Sequence, residues 1–463
     1  MIKIFTYLWL LSLFLLPFDN FPFIEAGFIK PLAIFPLSIL FFLFLILVLS
    51  GKKKLRLGIV DLIFSFFILS IILNSLVQLI ILPSDFIVKE TNPSQRFIEI
   101  FYFLSLILVF YFVPRLFANT TKKIELTFKT IIMAFVFPLL WGILQTLYVF
   151  LNVSWHESFF RDIEKIFVSK GGIFTSRISM LTAEPSFAAI QIALFIFPTL
   201  FFCFYFKFSF FSKINSSVGK INIETILLAL SVICFYMTFS VTAFVAMIIF
   251  FFLYFAFFLK KKRFYAIFSK AILAFFILFL IALPFSANFF MRADFFSKFS
   301  DYNIVSTLQS DQSFLVRSTG WAVGLKEFYL KPLFGVGMRN TMFYYSDLIP
   351  KWSQDDRAVK AYADSDYLSL VPTPKGFFPG IIGETGIIGL ISFFFIYFLT
   401  IKKVIEIKPE KQIEKVIKNS SLFSLFSIIP LGLSIDFTYP YFWFILGMSL
   451  SVAEVYKKRK KTT

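Results

Sequence analysis

Three stretches of this sequence bring fixed positive charge, carboxylate and glycine together, a mixture suited to transfer chemistry on a phosphorylated substrate. In the first, Thr175-Ser176-Arg177-Ile178-Ser179-Met180-Leu181-Thr182-Ala183-Glu184-Pro185-Ser186-Phe187, Arg177 and Glu184 stand seven residues apart, close to two helical turns. In the second, Arg317-Ser318-Thr319-Gly320-Trp321 is followed by Pro332-Leu333-Phe334-Gly335-Val336-Gly337-Met338-Arg339-Asn340. Glycines spaced like Gly335 and Gly337 let backbone N–H groups approach an anion, and Asn340 adds a side-chain amide. Arg317 and Arg339 offer planar forks that grip phosphate oxygens in pairs, which lysine cannot imitate. The third runs from Lys375-Gly376-Phe377 to Gly389-Leu390 and carries Glu384 into an apolar helix. Ionised groups near a bilayer interior cost ~2.5 kcal/mol or more unless paired or hydrated, so a carboxylate there is a functional candidate by default.

Each stretch also has a plainer reading. Arg177 can snorkel to the interface, and Glu184 before Pro185 can simply open a helix. Gly-x-Gly alone usually marks a turn, and Glu384 can be the structural partner of a neighbouring polar group. His156, the one histidine, follows Trp155 and reads first as solvated loop. Asp364 and Asp366, before Tyr367, form an acidic spot suited to sugar hydroxyls or a basic partner, or again a solvated loop. Cys203 and Cys234 lie inside apolar runs, so neither a metal site nor a disulfide framework is expected.

The elements that must position these residues are membrane helices. The chain is 59% hydrophobic with a mean hydropathy of +0.84, whereas soluble domains hold about 45–50% apolar residues. A spanning helix needs about 20 apolar residues. Candidate spans lie near 4–23, 31–50, 59–82, 97–117, 127–151, 185–206, 223–239, 241–259, 264–285, 377–401, 419–436 and 438–456. The fold expected is therefore all-α and polytopic, with about 12 transmembrane helices. The N-terminal run lacks a small-residue cleavage site and reads as a retained first helix.

The net charge of +18 is a topology signal rather than a nucleic-acid footprint, because the basic residues form clusters between apolar runs. Lys52-Lys53-Lys54, Lys122-Lys123, Lys260-Lys261-Lys262-Arg263, Lys402-Lys403 and Lys457-Lys458-Arg459-Lys460-Lys461 all fall on one side if both termini are cytoplasmic. All three chemical stretches then open on the other side. The expected organisation is an N-terminal bundle over 1–285 with an outer loop at 152–184, an outer loop subdomain over 286–376, and C-terminal helices over 377–463. Within the loop, Trp321, Leu325 and Phe328 share a helical face beside Lys326 and Glu327, which predicts an amphipathic helix on the membrane surface.

Taken in order, the three stretches resemble the O-antigen polymerase and O-antigen ligase superfamily of bacterial inner-membrane proteins. The resemblance rests on Arg317, Trp321, Pro332-x-x-Gly335-x-Gly337 and the Glu384-x-Gly386-Ile387-x-Gly389 helix, with Glu184-Pro185-Ser186 after Arg177. Thr238-Phe239-Ser240 is similar to the family's Thr-x-Ser-Arg turn, with Val241 replacing the Arg. It implies a GT-C-like glycosyltransferase acting on undecaprenyl-pyrophosphate-linked oligosaccharide at the periplasmic face, without cofactor or metal. Membrane lipid, a chain-length regulator and a flippase are the implied partners. Arg177, Arg317 and Arg339 would steady the leaving pyrophosphate, and Glu184, then Glu384, would act as base. Ligases carry His-Asn about nine residues before the glutamate matching Glu384. Here Lys375-Gly376 stands there, and an ordinary Lys is a poor base at neutral pH. The resemblance thus favours polymerase, over a ligase acting on lipid A-core and over a flippase for the same lipid-linked sugars, an architecture in which internal repeats are common.

Overall fold

The computed structural model describes residues 2–23, 30–52, 57–83, 85–151, 157–169, 177–211, 214–216, 219–240, 247–248, 312–364, 371–433 and 435–459. The expected spans 264–285 and nearly all of 241–259 lie outside them, as do 286–311, His156, Asp366 and Tyr367. The described elements are helical, as expected, apart from a short hairpin pairing Ile214–Ser216 with Gly219–Ile221.

In chain order the helices are α1 (Ile2–Phe14), α2 (Ile34–Leu49), α3 (Ile59–Ile81), α4 (Pro93–Phe117), α5 (Thr121–Ala134), α6 (Val136–Leu151) and α7 (Glu157–Phe167). They continue with α8 (Pro185–Tyr205), α9 (Ile223–Met237), α10 (Gln312–Leu330), α11 (Phe377–Ile405), α12 (Gln412–Leu431) and α13 (Pro440–Arg459). Among the described residues, five helical stretches are long and apolar enough to cross a membrane: α3, α4, Thr121–Val149, α8 and α11. With the exposed apolar rows on these helices, this is the build of a multi-pass membrane protein.

Prolines set several boundaries. The expected span 4–23 is helical only to Phe14; the chain turns at Pro17, and Asp19 accepts hydrogen bonds from the Ala183 amide (3.2 Å) and Gln191 (3.0 Å). The expected span 127–151 is interrupted at Phe135, because Pro138 lacks an N–H for the Ala134 carbonyl and crowds it. In α8 a π turn at Ile192–Ile196 precedes Pro198, and Ser424 donates to the Leu194 carbonyl at 2.7 Å, the acceptor that Pro198 leaves open.

The core lies around α13, whose Tyr441, Phe442, Trp443, Phe444 and Leu446 are all buried. It packs on α4, α11 and α12, and Gly447 removes the side chain that would strike the Tyr111 carbonyl. Near the end of α13, Glu454 meets Arg115, which also donates to Asp61 at 3.0 Å, while Tyr111 donates to Asp61 at 3.1 Å. Lys403 joins at 3.8 Å from Glu454. This clamp ties α3, α4, α11 and α13 together about 20 Å along α13 from its start.

The loop helix α10 packs on α11, with Gly324 against Pro379 and Glu327 against Gly383; Val323 joins Tyr345, Ile349 and Val359 in a small cluster, and Leu325, Tyr329 and Leu330 are exposed. Small residues win that face because the backbones approach closely. A Cβ on Gly324 would sit 2.6 Å from the Pro379 carbonyl oxygen.

Candidate functional site

The two glycine motifs are halves of one structure. Gly386 has φ 65°, ψ −165° and interrupts α11 near its start, a conformation open essentially to glycine. The interruption frees carbonyls and amides, and the Pro332–Gly337 turn takes them up. Val336 N–H donates to Gly383 (2.9 Å), Gly337 N–H to Glu384 (2.9 Å), and Ile387 N–H to Pro332 (2.9 Å). Asn74 of α3 donates to the Phe334 carbonyl at 2.5 Å and the Glu384 carbonyl at 3.3 Å. Gly335, at φ 71°, lies so close that a Cβ would sit 2.5 Å from the Glu384 carbonyl carbon.

This changes what the glycines do. The Gly335 amide donates to Lys331 at 2.8 Å and the Gly337 amide to Glu384, so both are committed within the protein. The Asn340 side-chain amide closes the same turn on the Val336 carbonyl at 3.2 Å. The glycines therefore serve backbone approach, and two residues after Gly337 the turn holds Arg339 in left-handed conformation at φ 63°.

Arg339 Nη1 donates to Asp436 at 3.2 Å, its guanidinium lies 4.4 Å from the Phe103 ring centroid, and its Nε has no partner. Asp436 is itself fixed by the Thr438 amide at 2.6 Å. Beside Arg339 sits a second guanidinium, Arg96, close enough for the two charges to repel. Arg96 is 1% exposed, pairs with Glu99, and donates through Nε to the Met342 sulfur at 3.0 Å. Under this turn Glu384 is 1% exposed; its Oε1 accepts from Thr341 at 3.1 Å while Oε2 has no partner.

Asp436 and Arg96 were missed from sequence: Asp436 is a single charge between apolar runs, whereas Arg96 sits among polar residues at the start of α4. The first stretch reaches the same neighbourhood through aromatic stacking. Glu184 caps the start of α8, half-buried, with Ser186 donating to it at 3.2 Å. Three residues on, Phe187 stacks on Tyr439 at 5.7 Å, in the segment that carries Asp436. Arg177 is exposed just before the Ile178 amide, which donates to the Met237 carbonyl at 3.0 Å, next to the Thr238-Phe239-Ser240 turn.

Lys375 and Arg317 belong to α10's other end. The Lys375 carbonyl accepts from Trp321 Nε1 at 3.2 Å and its ammonium lies 4.5 Å from the Tyr362 ring centroid. Arg317 is half-buried one turn before Trp321. Asp364 ends the helix Arg357–Ala363, where its charge acts on Lys89, and Lys89 donates to the Ala361 carbonyl at 3.1 Å.

Residues 226–394 match the family model described as O-antigen ligase. That region holds the Gly335–Arg339 turn, Glu384 and Lys375. No curated protein matches the chain.

Proposed function

From a chain that carries an O-antigen ligase family domain, we propose a surface-polysaccharide polymerase. It would move the growing glycan from undecaprenyl pyrophosphate to the next lipid-linked repeat at the periplasmic face of the inner membrane. Both termini would lie in the cytoplasm and about 12 helices would span the bilayer. The observation that carries the reading is the turn locked onto the α11 interruption, which fixes the Arg339 guanidinium beside Arg96 without using the Arg339 Nε.

The chemistry follows from charge. As the glycosyl C1–O bond to pyrophosphate breaks, negative charge grows on the leaving group, and guanidinium groups already in place stabilise it without reorganising. Arg339 is the fixed member, with Arg177 and Arg317 reaching from their own segments. The acceptor hydroxyl loses its proton as its oxygen bonds to C1. Glu184, half-buried beside Ser186, is the carboxylate open to that hydroxyl. Glu384, covered by the turn, holds the turn through its carbonyl.

The polymerase reading is preferred to the ligase because of Lys375. It stands where the ligase histidine is expected, yet its ammonium rests on Tyr362 and its carbonyl on Trp321, the work of a strut. A chain-length regulator and a flippase would be its working partners. Deleting the gene tests the reading. Single-repeat glycan on the anchor supports polymerase, and long polymer stranded on the carrier lipid indicates ligase. Unpolymerised repeats held inside indicate a flippase.

A further inference from the structure

Glu327 is the least expected residue in the described structure. Sequence places it on the polar side of α10, yet it is fully buried on the face that meets α11, and neither carboxyl oxygen has a hydrogen-bond partner. A Cβ on Gly383 would sit 2.5 Å from Glu327 Oε2, so the carboxyl lies against the backbone beside Glu384. The Thr341 hydroxyl, which donates to Glu384, neighbours Glu327 too.

The lysines that flank it in sequence are engaged elsewhere. Lys326 donates to the Leu348 carbonyl at 2.9 Å, and Lys331 to Gln78 at 2.6 Å and Tyr344 at 2.9 Å. Lys375, across the interface, rests on Tyr362. The remaining charges gather around Glu384: Arg339 with Asp436, and Arg96 with Glu99. Two buried carboxyls facing each other without a cation between them do not both ionise. Burial and the neighbouring Glu384 hold the Glu327 carboxyl well above the usual range.

We propose that Glu327 is the neutral member of a buried carboxyl pair with Glu384, a positioning residue whose proton limits the negative charge behind Arg339 and so preserves the pull of that turn on a diphosphate. Its role in diphosphate binding rests on the transfer reading above; its protonation does not. Ionising Glu327 adds one negative charge under the turn. At about 12 Å and an effective dielectric near 20 that weakens binding by roughly tenfold for each negative charge on the diphosphate.

The test uses the purified full-length protein in nanodiscs. Infrared spectra in H2O and D2O read the carbonyl stretch of a buried protonated carboxyl. Glu327→Gln is expected to remove one such band that wild type keeps at neutral pH. Transfer assays with a lipid-diphosphate donor then separate KM from kcat. The wild-type KM is expected to rise by at least about tenfold between neutral and alkaline pH, while Glu327→Gln stays flat and matches wild type at pH 7. An unchanged band overturns the proposal. So does a Glu327→Gln enzyme that melts like wild type but fails at pH 7 as badly as Glu327→Ala, since that requires an ionised Glu327. A wild-type enzyme that transfers nothing while the band behaves as expected removes the transfer reading and leaves the protonated pair.

Discussion

Gly335→Ala separates a steric role for the Gly-x-Gly turn from a merely conformational one. Gly335 and Gly51 share φ 71°, but around Gly51 nothing lies within 4 Å of an added Cβ, whereas at Gly335 three backbone atoms of 383–385 lie at 2.5–2.6 Å. Alanine at φ 71° costs about 1–2 kcal/mol in either place. At Gly335 the methyl also forces the turn off α11, breaking the Val336–Gly383 and Gly337–Glu384 hydrogen bonds, each contributing about 1 kcal/mol. Gly335→Ala is therefore expected to destabilise by about 3–4 kcal/mol locally, roughly twice the Gly51→Ala cost. Amide exchange over 332–341, with thermal melting in detergent, measures the difference. Polymer made in cells should vanish for Gly335→Ala and persist for Gly51→Ala. Equal protection and equal polymer in the two variants would refute the claim that this contact builds the site.

Other consequences follow from the same geometry. Arg339→Lys keeps the charge but loses the fork and its stacking on Phe103, so transfer should fall by about 10²–10³, nearly as far as for Arg339→Ala; Arg317→Lys should likewise fail almost as badly as Arg317→Ala, read by chain-length gels of well-expressed variants. Asp61→Asn removes one partner of buried Arg115 but leaves Glu454, so melting should show a loss of about 2–3 kcal/mol with transfer retained in the folded fraction. Glu164, on α7, has its carboxyl pushed up to about 7 by burial, despite its bond from Gln145. A raised carboxyl is stabilising below its ordinary value near 4.5 and loses that contribution as pH climbs through about 7. Melting from pH 5 to 8 should therefore fall more steeply for wild type than for Glu164→Gln, and parallel curves would count against it.

The apolar runs of α3, α4, α8 and α11 were legible because about 20 consecutive apolar residues have few other uses. So was the order of the motifs, since each keeps its arginine, glycines or glutamate within a few positions. Breaks at Phe135 and the Ile192–Ile196 π turn were less legible, although Pro138 and Pro198 announce them, because hydropathy averages over a proline. The close-packed face of α10 was not legible for a physical reason. A hydrophobic stripe marks burial in water, but beside a bilayer Leu325 and Tyr329 are at home outside while Gly320, Gly324 and Glu327 make the close contact. Arg96 and Asp436 were hidden for a related reason. Asp436 is a lone charge in an apolar run and Arg96 lies among the polar residues that open α4, and only tertiary contact reveals that both flank Arg339.

The most direct measurement uses purified protein, a synthetic undecaprenyl-pyrophosphate repeat unit, and lipid A-core as a competing acceptor. Polymer growing on the carrier lipid, with lipid A-core left unmodified and polymerisation absent in Arg339→Ala, is the result expected. Transfer to lipid A-core, or full polymerisation by Arg339→Ala, would contradict the account.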